Sequence, residues 1–272
     1  MAETKTKQKV ISQMYEIEES NSLFHDVWSM YARGAGGEVV ERPGFVATWA
    51  GVQWPILNVV FLNTPHTTVD DLEDSLRRIN DFVATKAQPG MLIACDDWLP
   101  DSKDQFANHG WIQISQAYGM VAEKCTITSH GNLEYRQVDS QDLRCAVADL
   151  NAAGYEVPSE IAREALDHPA MWGEGCFGYV GFLNDTPVAT STTYVRSNCL
   201  YVALVATRPE FRKRGLAKEI TGYSVEQAQK ASGLQRTLLH ATPMARSIYE
   251  SLGFRTVTTF PMFLPAALLA AH

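Results

Sequence analysis

Apolar positions along this chain keep two rhythms, and their alternation outlines the fold. Between residues 69 and 86, Leu72, Leu76, Ile79 and Val83 step by 4, 3 and 4 and share one face of a helix. Shorter apolar runs bounded by turn-forming residues read as strands near 44–50, 57–62, 91–96 and 111–121, with helices over 9–32 and 101–108. Later, helices are predicted over 140–153 and 158–168. Strands at 176–183 and 187–195 join through Asn184-Asp185, and strand 199–207, helix 215–231, strand 235–241, helix 243–252 and strand 254–263 follow. The predicted class is mixed α/β (α+β), with two similar halves, each a central mixed sheet flanked by helices.

The similarity has a fixed offset. Gly90 and Gly233, Phe106 and Tyr249, Gly110 and Gly253, and Trp111 and Phe254 all stand 143 residues apart, in the same order of elements. A structural duplication accounts for four matches in register. It divides the chain into residues 1–130 and 131–272, with a turn signal at Ser129-His130-Gly131-Asn132.

Composition narrows the classes. With 46% hydrophobic and 20% charged residues, the 272-residue chain can bury a sizeable core. Its net charge of −8 disfavours nucleic acid, whose phosphates need cations. Residues 1–130 hold 10 Lys and Arg against 17 Asp and Glu, whereas 131–272 hold 13 against 14, so an anionic ligand would prefer the second half. Five separated cysteines without a CxxC pair suggest neither a disulfide framework nor a metal site. MAETKTKQKV lacks a signal-peptide core, and no apolar run reaches a membrane span, so the expected setting is cytoplasmic.

The most informative stretch runs from Leu200 to Ala217. An apolar strand ends at Pro209, the basic turn Arg212-Lys213-Arg214 follows, and a helix starts around Gly215 with Leu216, Ile220 and Tyr223 on one face. A helix start offers free N–H groups and partial positive charge, which suit a phosphate, and Gly215 and Ala217 keep the approach clear. At the matching place in the first half, Thr68 makes an N-cap for a start bearing Asp70 and Asp71, which would repel phosphate.

Arg212, Gly215 and Ala217, preceded by Pro209-Glu210-Phe211, resemble the acyl-CoA-binding motif of the GNAT N-acetyltransferase superfamily, (Arg/Gln)-x-x-Gly-x-(Gly/Ala). Ala245 to Phe254 resembles its second signature, A-x-x-x-Y-x-x-x-G-F, although Thr242 stands where many members have Asn. The resemblance spans about residues 134–263; the first half is similar in outline and implies a tandem member with a degenerate N-terminal half. It implies an acetyl-CoA-dependent N-acetyltransferase. The pantetheine arm would lie between strands 199–207 and 235–241 against the backbone of Leu204, Val205 and Ala206. The amides of Arg212, Lys213, Arg214, Gly215, Leu216 and Ala217 would hold the pyrophosphate, and a backbone N–H near Leu204 would face the developing oxyanion.

Tyr249 would protonate the departing thiolate. Its counterpart, Phe106, has no hydroxyl. For the general base, Tyr201, His240, Glu174 and an ordered water stay open, and Cys199 reads as core. Tyr155, His168, Trp172 and Glu174 would sit in a substrate lid, with Trp49 and Trp54 closing the far side. The expected partner is a small-molecule amine, with no nucleic acid and no membrane; a homodimer is compatible with the chain. The alternatives are an acyl-CoA-binding sensor or pseudoenzyme, a protein N-terminal or lysine acetyltransferase, and a thiol-conjugate acyltransferase of ligase type.

Overall fold

A computed structural model describes residues 2–100, 104–126, 131 and 133–270, with side chains from residue 13 onward. The first half contributes α1 (Ala2–Gly34), β1 (Glu38–Arg42), β2 (Phe45–Trp49), β3 (Asn58–Leu62), α2 (Val69–Val83), β4 (Met91–Ile93), α3 (Asp104–Asn108) and β5 (Trp111–Ala122). The second contributes β6 (Glu134–Gln137), α4 (Gln141–Tyr155), α5 (Ser159–Leu166), β7 (Cys176–Leu183), β8 (Thr186–Arg196) and β9 (Cys199–Thr207). It closes with α6 (Leu216–Ser232), β10 (Thr237–Ala241), α7 (Arg246–Glu250), β11 (Arg255–Pro265) and α8 (Ala266–Leu269). The class is the mixed α/β one expected. The turn at Ser129-His130-Gly131-Asn132 lies, apart from Gly131, outside the described residues, as does the start of the helix expected over 101–108.

Local rules account for most of these elements. In α1, Ile17, Ser20, Leu23, Phe24, Val27 and Tyr31 are buried at helical spacing and turn one stripe toward the sheet. The β7–β8 hairpin turns on Asn184 and Asp185, both at positive φ, as its two-residue link requires. Leu72, Leu76 and Ile79 of α2 are fully buried, each contributing about 1.5–3 kcal/mol of apolar burial. Two strands escaped the pattern: β1, an exposed edge reading Glu-Val-Val-Glu-Arg, and the four-residue β6.

The expectation of a sheet for each half resolves into one sheet shared by both. Among the described residues its eleven strands run β1-β2-β3-β4-β11-β5-β10-β9-β8-β7-β6. The long last strand of each half pairs antiparallel with the other half's short parallel strand: β5 with β10 (Met120↔Leu239), and β11 with β4 (Met262↔Ile93). β5 and β11 then pair with each other along the middle. The halves have exchanged strands. Gly110 and Gly253, matched in the repeat, both take positive φ after their short helices. Phe106 and Tyr249, likewise matched, both point into core.

α1 belongs to the first half in sequence but packs across the second. Arg236 at the start of β10 bonds Glu19 at 2.6 Å and also engages Glu16 and Glu123, while Arg255 engages Glu16. One buried cluster gathers Leu23, Val27 and Tyr31 of α1, Trp54 of the 50–57 segment, Ala148 of α4, Leu166 of α5, and Tyr194, Tyr201 and Leu238 of the sheet.

Candidate active site

Two strands that separate make the central feature. β9 and β10 are parallel and paired only from Leu200↔Thr237 to Val202↔Leu239; beyond that, Ala203–Thr207 and His240–Ala241 diverge. At the fork β9 carries a bulge. Ala203 pairs with Thr192 and Ala206 with Thr190, so Leu204 and Val205 together oppose Ser191. Leu204 adopts φ +52°, a left-handed conformation that costs a non-glycine residue about 1–2 kcal/mol. Strain of this kind, held by surrounding structure, is a mark of functional positions.

The basic turn follows β9 directly. Arg212, Lys213, Arg214 and Gly215 are exposed, with Lys213 at φ +61° and Gly215 at φ +78°. Gly215 caps α6 without a side-chain hydrogen bond. The Arg212 N–H bonds the Pro209 carbonyl, but among the described residues the N–H groups from Lys213 to Lys218 find no acceptor. Arg212 Nε donates to the Thr207 carbonyl at 3.3 Å, and Arg214 packs over Phe211. Lys218 Nζ donates to the Ser251 carbonyl, joining α6 to the end of α7. The turn is an uncapped cradle of donors ringed by three cations, which fits a pyrophosphate.

Tyr249 of α7 is buried beside Leu252 and Phe254. Desolvation holds its hydroxyl above the ordinary tyrosine range, so it stays protonated at neutral pH. Tyr201 of β9 is 1% exposed, and burial likewise pushes its hydroxyl well up, with the nearby hydroxyls of Tyr31, Tyr155 and Tyr249 adding to the shift. Its hydroxyl lies 2.7 Å from His240 Nδ1. The other imidazole nitrogen, Nε2, is 3.1 Å from Ser20 Oγ of α1. Phe24 stacks on the ring at 3.7 Å, and Phe260 meets its edge at 4.8 Å. Part of His240 stays accessible, but dense packing around the imidazole lowers its basicity well below the ordinary histidine value. Tyr201 and His240, two separate base candidates in sequence, thus form one hydrogen-bonded unit.

The remaining expectations divide. Glu174 is exposed and makes no hydrogen bond or ion pair among the described residues. Trp54 meets Tyr155 edge-on at 5.6 Å, joining the 50–57 segment to the end of α4. Trp49 does not join them: it is buried in the first half's core against Phe82. Trp172 Nε1 bonds the Leu166 carbonyl and His168 Nε2 lies 2.7 Å from the Glu164 carbonyl, so both brace the α5 end. Cys199 is buried, its thiol pushed up to about 12 by desolvation. Sequence reasoning missed Ser20 and Phe24, because their contact with His240 crosses 220 and 216 positions. It also missed Glu219, a buried carboxylate that accepts from the Tyr135 hydroxyl and the Leu133 N–H and ties β6 to α6.

Residues 148–261, which span the fork, the basic turn and Tyr249, match the family model of the acetyltransferase (GNAT) domain. That span is similar to the GNAT acetyltransferase domain. No curated protein matches the chain in sequence. Among solved structures, a GCN5-related N-acetyltransferase from Kribbella flavida shares the fold with a TM-score of 0.65 at 18% identity, over 84% of this chain and 89% of that one. A GCN5-related N-acetyltransferase from Sphaerobacter thermophilus aligns with a TM-score of 0.56 at 11% identity, over 81% and 76%. A tandem GNAT protein from the clavulanic acid biosynthesis pathway aligns at 0.51 and 9%, over 81% and 77%. The likeness extends through both halves, whereas the family model covers the second. The GNAT fold supports acyl transfer from acetyl-CoA. Among the described residues, no helix is long and apolar enough to cross a membrane, and no cluster of His, Cys, Asp and Glu could hold a metal ion.

Proposed function

We propose that the chain is an acetyl-CoA-dependent N-acetyltransferase acting on the primary amine of a small molecule, with its reaction centre in the GNAT domain and a first half that has lost cofactor binding. The observation that carries this is the fork between β9 and β10 opening onto an uncapped, cation-ringed helix start. Backbone groups of Leu204, Val205 and Ala206 would hold the pantetheine arm, and the amides from Arg212 to Ala217 the pyrophosphate. When bound, acetyl-CoA supplies the activated thioester. Tyr249 would then donate its proton to the departing sulfur, a role suited to a hydroxyl that burial keeps protonated.

The division at residue 130 belongs to the same proposal. In the first half, the His66 N–H donates to the Trp98 carbonyl at 2.8 Å. These two residues stand five positions beyond Phe61↔Ile93, the last β3–β4 pair, whereas beyond Val202↔Leu239, the last β9–β10 pair, no backbone bond joins the two strands again among the described residues. Protein backbone thus bridges the first half where the second half gapes. A small amine is favoured over a protein acceptor because Trp54 and Tyr155 close over the cluster that holds Leu204 and Tyr201.

Calorimetry with acetyl-CoA, paired with thiol release over an amine panel, tests the proposal. Tyr249→Phe should lower kcat by about 10- to 1000-fold while acetyl-CoA affinity stays within about two-fold. Binding without turnover of any amine or peptide would favour a sensor instead.

A further inference from the structure

α1 lies outside the residues matched by the GNAT model, yet it reaches the candidate chemistry. A neutral imidazole has one N–H and one bare nitrogen, so the partners of His240 decide which nitrogen is which. Tyr201 carries the more acidic hydroxyl and is the natural donor to Nδ1, 2.7 Å away. Nε2 then carries the proton, and Ser20 Oγ at 3.1 Å accepts it. The groups packed around the ring come from every adjacent element: Ser20 and Phe24 from α1, Tyr201 from β9, Gly119 paired with His240 from β5, and Phe260 from β11. Of these Tyr201 is the titratable one, and none is charged.

Close approach is built in. A Cβ at Gly119 would stand 2.5 Å from Ser20 Oγ and 2.8 Å from Phe260, so the glycine lets α1 sit down on the strand at this point.

We propose that Ser20 is a positioning residue for the GNAT domain's reaction: by accepting from His240 Nε2 it fixes Nδ1 as the acceptor of the Tyr201 proton, leaving the Tyr201 oxygen free to take a proton from the amine. This rests on the acyl-transfer reading above. As the amine nitrogen bonds the acetyl carbon, its proton passes to the Tyr201 oxygen and the Tyr201 proton passes to Nδ1. The carbon–sulfur bond breaks and sulfur takes the Tyr249 proton. Afterwards the imidazolium releases its proton to solvent and Tyr249 regains one. The first half, on this account, completes the second half's site.

The test uses the full chain with 15N-labelled histidine, the His240 resonances being assigned by their loss in His240→Gln. Wild type should show a neutral ring with the proton on Nε2, and Ser20→Ala should shift it toward a mixture of tautomers. A proton on Nδ1 in wild type, or unchanged 15N shifts in Ser20→Ala, overturns the proposal. In thiol release with acetyl-CoA and phenethylamine, Ser20→Ala should lower kcat by about 10-fold with the acetyl-CoA KM within about two-fold. In a Tyr201→Phe background it should have no further effect, whereas a merely structural role would give the same loss in both backgrounds. Should Ser20→Ala fail to fold, Tyr201→Phe alone must move the Nδ1 resonance and lower kcat; neither changing sinks the idea. Failure of wild type to bind acetyl-CoA, or to acetylate any amine, would instead bring down the acyl-transfer reading, while the tautomer measurement stands apart from it.

Discussion

α2 and α6 start at corresponding places in the two halves and meet the same electrostatic problem in opposite ways. At α2, Thr68 accepts from the Asp71 N–H at 3.2 Å, and Asp70 and Asp71 neutralise the helix dipole. At α6, Gly215 offers no side chain, the first-turn amides find no acceptor among the described residues, and the neighbouring charges are Arg212, Lys213 and Arg214. The first helix start satisfies itself; the second leaves its donors open, as the proposed pyrophosphate site requires. Helix starts are costly to leave open, so an exposed, uncapped one beside a strained bulge is a more specific sign than either feature alone.

Four experiments would break or sharpen this contrast. The largest effect is expected from Gly215→Asp, measured by titration calorimetry. A Cβ there meets no protein atom within 4 Å, so the cost falls on the φ of +78° and on the space and charge of the anion site; acetyl-CoA affinity should drop by about 100-fold. Arg212→Ala with Arg214→Ala should weaken binding by about 10-fold and flatten its salt dependence. Unaltered affinity in both would show that the cradle is decoration. Thr68→Ala, by contrast, should cost about 1 kcal/mol in urea unfolding and leave acetyl-CoA binding untouched.

The smallest effect concerns pH and spans both halves. His66 beside the first half's bridge, His240 at the second half's fork and His25 on α1 are all held below the ordinary histidine value, chiefly by burial. The unfolded chain therefore takes up protons that the folded chain refuses once pH falls below 6.5, the ordinary value. Stability should be full above that point and decline beneath it. A thermal midpoint that is flat between about pH 7.5 and about pH 5.5 would contradict the assignment of neutral buried rings.

Much of this was legible in the residues. The predicted strand 199–207 coincides with β9, and Leu72, Leu76 and Ile79 face the core as their spacing requires. The 143-residue offset holds where α3 and α7 lead into β5 and β11, but not at β4 and β10: Met120 pairs with Leu239 and Phe263 with Leu92, which sets Leu92 against Leu239, 147 positions on, and parts Gly90 from Gly233. Strand exchange was not legible, since β5 and β11 would show the same alternation whichever neighbour they paired with. Nor could the Tyr201–His240 contact be read before the register Tyr201↔Leu238 was known. Trp49 and Trp54 look equivalent in sequence, but one falls on β2 and faces α2, while the other follows that strand and turns toward α4. Contacts that cross some 220 positions leave no periodicity to find.

The exchanged strands have a consequence for dissection. Severing the chain between Ala122 and Glu134 and parting the products would strip β4 and β10 each of an antiparallel neighbour, baring amides in the middle of the sheet rather than at its margins. Neither fragment could then be expected to persist as a soluble monomer, whereas the two mixed should reassociate. On the proposed reading, a half without a cofactor site still could not be discarded, because the GNAT-like half depends on its β5 for a wall.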